Sequence, residues 1–133
     1  MALDPAALPD EVLTFLREYH LATLTTLRED LSPHVVAVGF SYDTDDRVAR
    51  VITWAGSQKA INAGRMETAG QRAAVCQVDG GRWLSLEGPV RLVTDPDGVR
   101  AGVDGYAARY RQPKDRDDRV VIEIAVERIL GRG

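Results

Sequence analysis

A chain of 133 residues with a net charge of −3, 44% hydrophobic and 28% charged residues is long enough to bury a core of its own. Its acidic balance argues against nucleic acid or an anionic membrane surface as a partner, and its one cysteine, Cys76, leaves neither an intramolecular disulfide nor a cysteine metal site. No apolar run is long enough to span a bilayer and no signal peptide is evident, so the expectation is a single cytoplasmic domain over residues 1–133, with residues 1–8 a flexible arm.

Pro9, Asp10 and Glu11 start a short amphipathic helix, since acidic side chains favour the positive end of the helix dipole. Val12, Leu13, Leu16 and Tyr19 form its apolar face, and it ends near His20. Leu21 to Arg28 reads as a strand, Glu29 to Pro33 as a turn, and His34 to Tyr42 as an antiparallel return strand. After the turn Asp43 to Asp46, Arg47 to Trp54 is a third strand. The chain breaks at Gly56 and a helix begins behind Ser57, a good N-cap.

Gly64 to Gly70 is a poor helix former and reads as a loop. Arg72 to Val78 is a fourth strand and Asp79-Gly80-Gly81 a tight hairpin turn. Arg82 to Val93 is a fifth strand with a bulge or bend at Gly88-Pro89, because proline cannot serve a central ladder. Asp95 caps a third helix with Pro96 in its first turn. Arg111 to Asp118 is a polar loop, and Arg119 to Leu130 a sixth and last strand. The sum is mainly β: a small six-stranded antiparallel β-barrel with peripheral α-helices. Residues 35 to 40 are apolar on both faces, which points to a core on one side and a partner subunit, hence a homodimer, on the other.

Few residues are candidates for chemistry. The two histidines, His20 and His34, are too few for a histidine metal site, and no nucleophile elbow, dinucleotide fingerprint or P-loop is present. If the chain is an enzyme, a cofactor carries the reaction. Lys59 stands out, because a cation in the first turn opposes the helix dipole unless an anion compensates it. Of the seventeen basic residues only Lys59 and Lys114 are lysines, and a compact ammonium suits a phosphate. A solvated lysine after an ordinary cap is the other reading. Trp83 is either a wall for a ring system or a core or interface aromatic. Gln77, on the neighbouring strand, either offers its amide to the same pocket or is a solvated strand residue.

Three segments carry a resemblance: Ser32-Pro33-His34 opening its strand, Gly56-Ser57-Gln58-Lys59-Ala60, and Arg82-Trp83-Leu84-Ser85-Leu86-Glu87-Gly88. Together they resemble the pyridoxamine-phosphate-oxidase-like split β-barrel family. The runs Leu21 to Arg28 and Ser32 to Phe40 are similar to its flavin/deazaflavin oxidoreductase branch, which uses coenzyme F420. The resemblance implies a homodimer with a cofactor site at each subunit interface. The phosphate would lie at Ser57-Gln58-Lys59 and the ring system beside Ser32, Pro33, His34, Val35 and Val36, with Thr53, Gln77 and Trp83 also among the cofactor-binding residues. Trp83 stands where oxidases of the broader family carry a flavin-contacting glutamine, and the chain ends without their Trp- and Arg-containing tail. The expectation is therefore a reductase passing hydride from reduced F420 to a conjugated acceptor of the linear tetrapyrrole kind. The alternatives are an FMN-dependent reductase or oxidase, and a flavin- or haem-binding module without turnover.

Overall fold

The computed structural model describes residues 2–133; Met1 lies outside them. In chain order the elements are β1 (Ala2–Leu3), α1 (Asp10–Arg17), β2 (Ala22–Leu27), β3 (Pro33–Val38), β4 (Ser41–Asp43), β5 (Val48–Trp54), α2 (Gln58–Ala69), β6 (Arg72–Asp79), β7 (Arg82–Val93), α3 (Pro96–Arg109), β8 (Arg119–Ala125) and β9 (Arg128–Arg132). Every strand pair is antiparallel. The sheet runs β3-β2-β6-β7-β8-β5-β4, with β9 on β7 and β1 on β9. It curls about one core of Leu24, Val75, Leu84, Leu86, Ile122, Ile124 and Ile129, into which Phe15 of α1 and Phe40 also insert. The ends of the path, β3 and β4, do not pair with each other, so the barrel is split there.

The architecture is mainly β, as the alternation of the strands implies, but the strand count is nine and not six. Two of the expected strands are broken, each for a visible reason. His34 to Tyr42 divides into β3 and β4 at Gly39, where a Cβ would lie 3.0 Å from ring carbons of both Tyr106 and Tyr110. Next to it, the Phe40 N–H donates to the Tyr110 hydroxyl at 3.2 Å. Arg119 to Leu130 divides into β8 and β9, because the Val126 N–H turns to the Arg47 carbonyl and the Glu127 N–H to the Glu87 carbonyl, both at 2.9 Å.

The bend expected at Gly88-Pro89 is the hinge of the whole barrel. Trp83 to Glu87 pair with β9, while Val90 to Val93 pair with β8, so β7 passes from one half of the sheet to the other at these two residues. Three further expectations change. The expected arm contributes β1, with Leu3 packed on the core. Helix α1 stops at Arg17, and Tyr19 is exposed beyond it. Helix α2 runs on through Gly64 to Ala69, because Ala60, Ala63 and Met66 give it a fully buried stripe; Gly70 in the left-handed conformation (φ 69°) ends it. Burial along one helix face outweighs a single glycine's propensity cost of about 1 kcal/mol.

The two outer faces of the sheet differ. On β5, β8 and β7 a row of charge crosses three strands: Glu123 accepts from Arg50 at 3.0 Å and from Arg91 at 2.6 Å, and Arg50 also reaches Asp43 at 3.2 Å. On β3, β2, β6 and β7 the outward side chains are mostly small or apolar (Val35, Ala37, Thr23, Thr25, Ala74, Cys76, Val78, Trp83 and Ser85), with the charged Arg72 and Glu87 at one end. Val35, Val78 and Trp83 are all exposed.

Candidate functional site

Ser57 is a working N-cap: its hydroxyl oxygen accepts from the Ala60 N–H at 3.2 Å and from the Thr53 hydroxyl at 2.9 Å. Both side chains are buried, so neither offers an open hydroxyl to a ligand. What they do is fix the entry of α2 and with it the direction of the next residues. Lys59 is half-buried, and its ammonium stands 5.0 Å from the centre of the Trp54 ring. Among the described residues it has no carboxylate within ion-pair distance. Burial pushes its pKa down, the mark of a cation whose water has been partly removed without an anion in exchange.

Lys59 faces a cavity of about 480 Å³ at the split of the barrel. Ala37, Val38 and Gly39 at the end of β3, Ile52 of β5 and Tyr106 of α3 form its wall, and Arg111, Lys114 and Arg119 join Lys59 as its cations; no carboxylate lines it. Both lysines of the chain therefore meet here. Arg111, Lys114 and Arg119 were not among the candidate site residues read from the sequence, where Arg111 and Lys114 fall in a polar loop and Arg119 opens the last strand. The available signal was the density of Arg109, Arg111, Lys114, Arg116 and Arg119 in a chain of net charge −3.

His34 and Gln58 look the other way, into a second, shallower cleft that they share with Arg28, Glu29, Asp30, Ile61 and Arg65. The His34 Nδ1 is buried with no hydrogen-bond partner. Burial, with the charges of Arg28 and Lys59 beside it, holds the imidazole below its ordinary pKa, so it is neutral near pH 7 and has an unused nitrogen. His34 therefore lines the second cleft and not the Lys59 cavity. Ser32 is tied into the β2–β3 turn, its N–H and hydroxyl both donating to Asp30, at 3.0 and 2.6 Å. Pro33 and Val35 are exposed, and Val36 packs on the core.

Gln77 requires a correction. It is neither a pocket amide nor a solvated strand residue: it is fully buried, donates to the Phe15 carbonyl at 3.0 Å and accepts from the Arg109 guanidinium at 2.7 Å. Fully buried between Phe15 and Arg109, its side chain lines neither opening. Trp83 does not line the Lys59 cavity; it sits on the mostly small and apolar outer face of the sheet, paired in register with Val78 and Arg132. Any ring it touches must come from outside this subunit's own cavity.

Comparison with known proteins follows the same lines. Residues 8–133 match the family model described as pyridoxamine 5'-phosphate oxidase. The chain is 56% identical over 124 residues to the F420H(2)-dependent biliverdin reductase of Mycobacterium tuberculosis (strain CDC 1551 / Oshkosh), an alignment covering 93% of this chain and 88% of that one. Among solved structures it is similar to an F420 reductase (TM-score 0.70, 26% identity, 92% of this chain and 98% of the other). It also superposes on a conserved hypothetical protein of Mycobacterium tuberculosis (TM-score 0.76, 22% identity, 99% and 89% covered), a likeness of fold.

Proposed function

Because the chain belongs to the pyridoxamine 5'-phosphate oxidase family, we propose that it is an F420-dependent oxidoreductase that reduces biliverdin or a closely similar linear tetrapyrrole. The observation that carries this reading is Lys59, half-buried, unpaired and facing a cavity lined by no carboxylate, which fits the phosphate of an anionic cofactor. The reduced deazaflavin, when bound, supplies the hydride. The chain's own residues bind and orient: Lys59 takes the phosphate, the first turn of α2 behind the Ser57 cap adds its N–H groups, and the β3 strand from Pro33 to Val36 flanks the ring system.

The test is binding. Charge-assisted hydrogen bonds are worth roughly 1.5–3 kcal/mol each, so Lys59→Ala should weaken deazaflavin affinity by about ten- to a hundredfold. Lys59→Arg should recover only part of this, since the fork of a guanidinium needs more room than an ammonium. Fluorescence titrations with deazaflavin, FMN and haem side by side give the answer. Unchanged affinity in Lys59→Ala would remove the phosphate site, and preferential, tight FMN binding would replace F420 as the cofactor.

The functional unit in this proposal is a cytoplasmic homodimer. The mostly small and apolar outer face of β3, β2, β6 and β7 is the surface that pairs, since the opposite half of the sheet carries the Arg50–Glu123–Arg91 row. Trp83, on this face, then reaches the cofactor site of the other subunit. Val78→Lys puts a charge in the middle of the contact and should raise the dimer dissociation constant by at least about a hundredfold. Light scattering decides it: a Val78→Lys variant that stays dimeric at micromolar concentration places the interface elsewhere.

A further inference from the structure

The Lys59 cavity holds more positive charge than one phosphate needs. Arg111, Lys114 and Arg119 reach it from the segment behind α3, and Arg119 donates to the Lys114 carbonyl at 2.5 Å, which ties the rim of the segment to the start of β8. Of the neighbouring carboxylates, Asp118 is paired with Arg116 at 2.8 Å, and Asp115 and Asp117 line an adjoining cleft that Lys114 and Arg119 also border; none of the three lines the Lys59 cavity. Among the described residues none of Lys59, Arg111, Lys114 and Arg119 is in an ion pair. Holding four like charges around one cavity is unfavourable, and anions relieve it.

We infer that the cavity has a second anion subsite, formed by Arg111, Lys114 and Arg119, so that its ligand carries at least two anionic groups in one molecule. The first group sits at Lys59, on the floor by α2. The second sits at the rim, where two guanidinium forks and an ammonium take a carboxylate or phosphate. Beside the cavity, the Arg116 guanidinium lies 5.1 Å from the centre of the same Trp54 ring that the Lys59 ammonium faces at 5.0 Å. A ligand that engages both floor and rim is selected over one that engages Lys59 alone. This deepens the cofactor reading above and rests on it for the ligand's identity, while the existence of the subsite rests on the cavity itself.

Calorimetric titration of the full chain with orthophosphate and with tripolyphosphate tests the subsite without any cofactor. The wild type should bind tripolyphosphate more tightly, and Arg111→Gln/Lys114→Gln should weaken it by about tenfold while leaving orthophosphate within twofold. Because both substitutions are on an exposed segment, melting curves should superpose on the wild type. Equal effects on the two probes, or none on tripolyphosphate, would overturn the inference. The same double variant then identifies the source of the second group. A tenfold loss for deazaflavin places it on the cofactor, and a loss for biliverdin alone places it among the acceptor's carboxylates. Failure of the cofactor reading looks different: Lys59→Ala would leave deazaflavin binding intact, whatever the double variant does to tripolyphosphate.

Discussion

Arg109→Leu should lower stability by about 3 kcal/mol or more, a fall in Tm of about 10 °C for a chain of this size. Arg109 is buried at the end of α3 with no carboxylate beside it. Its guanidinium instead donates to the Glu18 carbonyl at 2.8 Å, the Phe40 carbonyl at 2.9 Å, the Phe15 carbonyl at 3.4 Å and the Gln77 amide oxygen at 2.7 Å. Those acceptors belong to the end of α1, the β3–β4 break and β6, so one side chain satisfies polar atoms on three separate elements. Burial holds its pKa below the ordinary arginine value, and the rings of Phe40 and Tyr110, 4.8 and 5.4 Å away, surround it. Removing it strands several buried acceptors at once, and each unmade bond carries the full desolvation cost. Arg109→Lys keeps the charge but cannot fork, and should recover less than half of the loss. Thermal melts of both variants decide the matter; a Tm within about 2 °C of wild type for Arg109→Leu would mean water replaces the guanidinium.

Gly88→Ala is the second large effect, expected at about 3 kcal/mol, the upper range for forcing one extra carbon into a close-packed site. A Cβ on residue 88 would overlap the Ala125 carbonyl oxygen and lie 2.8 Å from the carbonyl carbon, both backbone atoms that cannot rotate away. To make room, β7 must move off the junction of β8 and β9, which loosens both halves of the barrel at their crossing. Chemical denaturation should show a lower midpoint. A midpoint equal to wild type would show that the junction gives way without cost.

Much of this fold was readable before any coordinates. Asp95 and Ser57 are side chains whose hydroxyl or carboxylate accepts from the third residue on, and Gly80 (φ 59°) closes the hairpin that two adjacent glycines announce. These are local effects, fixed by residues a few positions apart. The breaks at Gly39 and at Val126-Glu127 were not readable, because each is imposed by partners far away in sequence: Tyr110 in one case, Arg47 and Glu87 in the other. The same distinction divides the site. Lys59 announces itself through its conflict with the helix dipole. Gln77 misleads, since alternation along β6 puts it inward but only Arg109, 32 residues on, gives its amide a use there. Arg111, Lys114 and Arg119 carry charge with no periodicity, and only the fold of the segment after α3 turns them toward Lys59.

The position of β7 also governs how the chain is made. It pairs with β6 before it and with both β8 and β9 after it, and Arg50 of β5 waits for Glu123, 73 residues later, to complete its row. The β6–β7 hairpin can form as soon as it leaves the ribosome, whereas β5 and the far half of β7 find their common neighbour only when β8 emerges. Until then the nascent chain carries two open strand edges at once, flanked by Val51 and Val90, which are core residues in the finished barrel. Slowed translation just before Arg119 would therefore prolong the interval in which newly made copies can pair edge to edge.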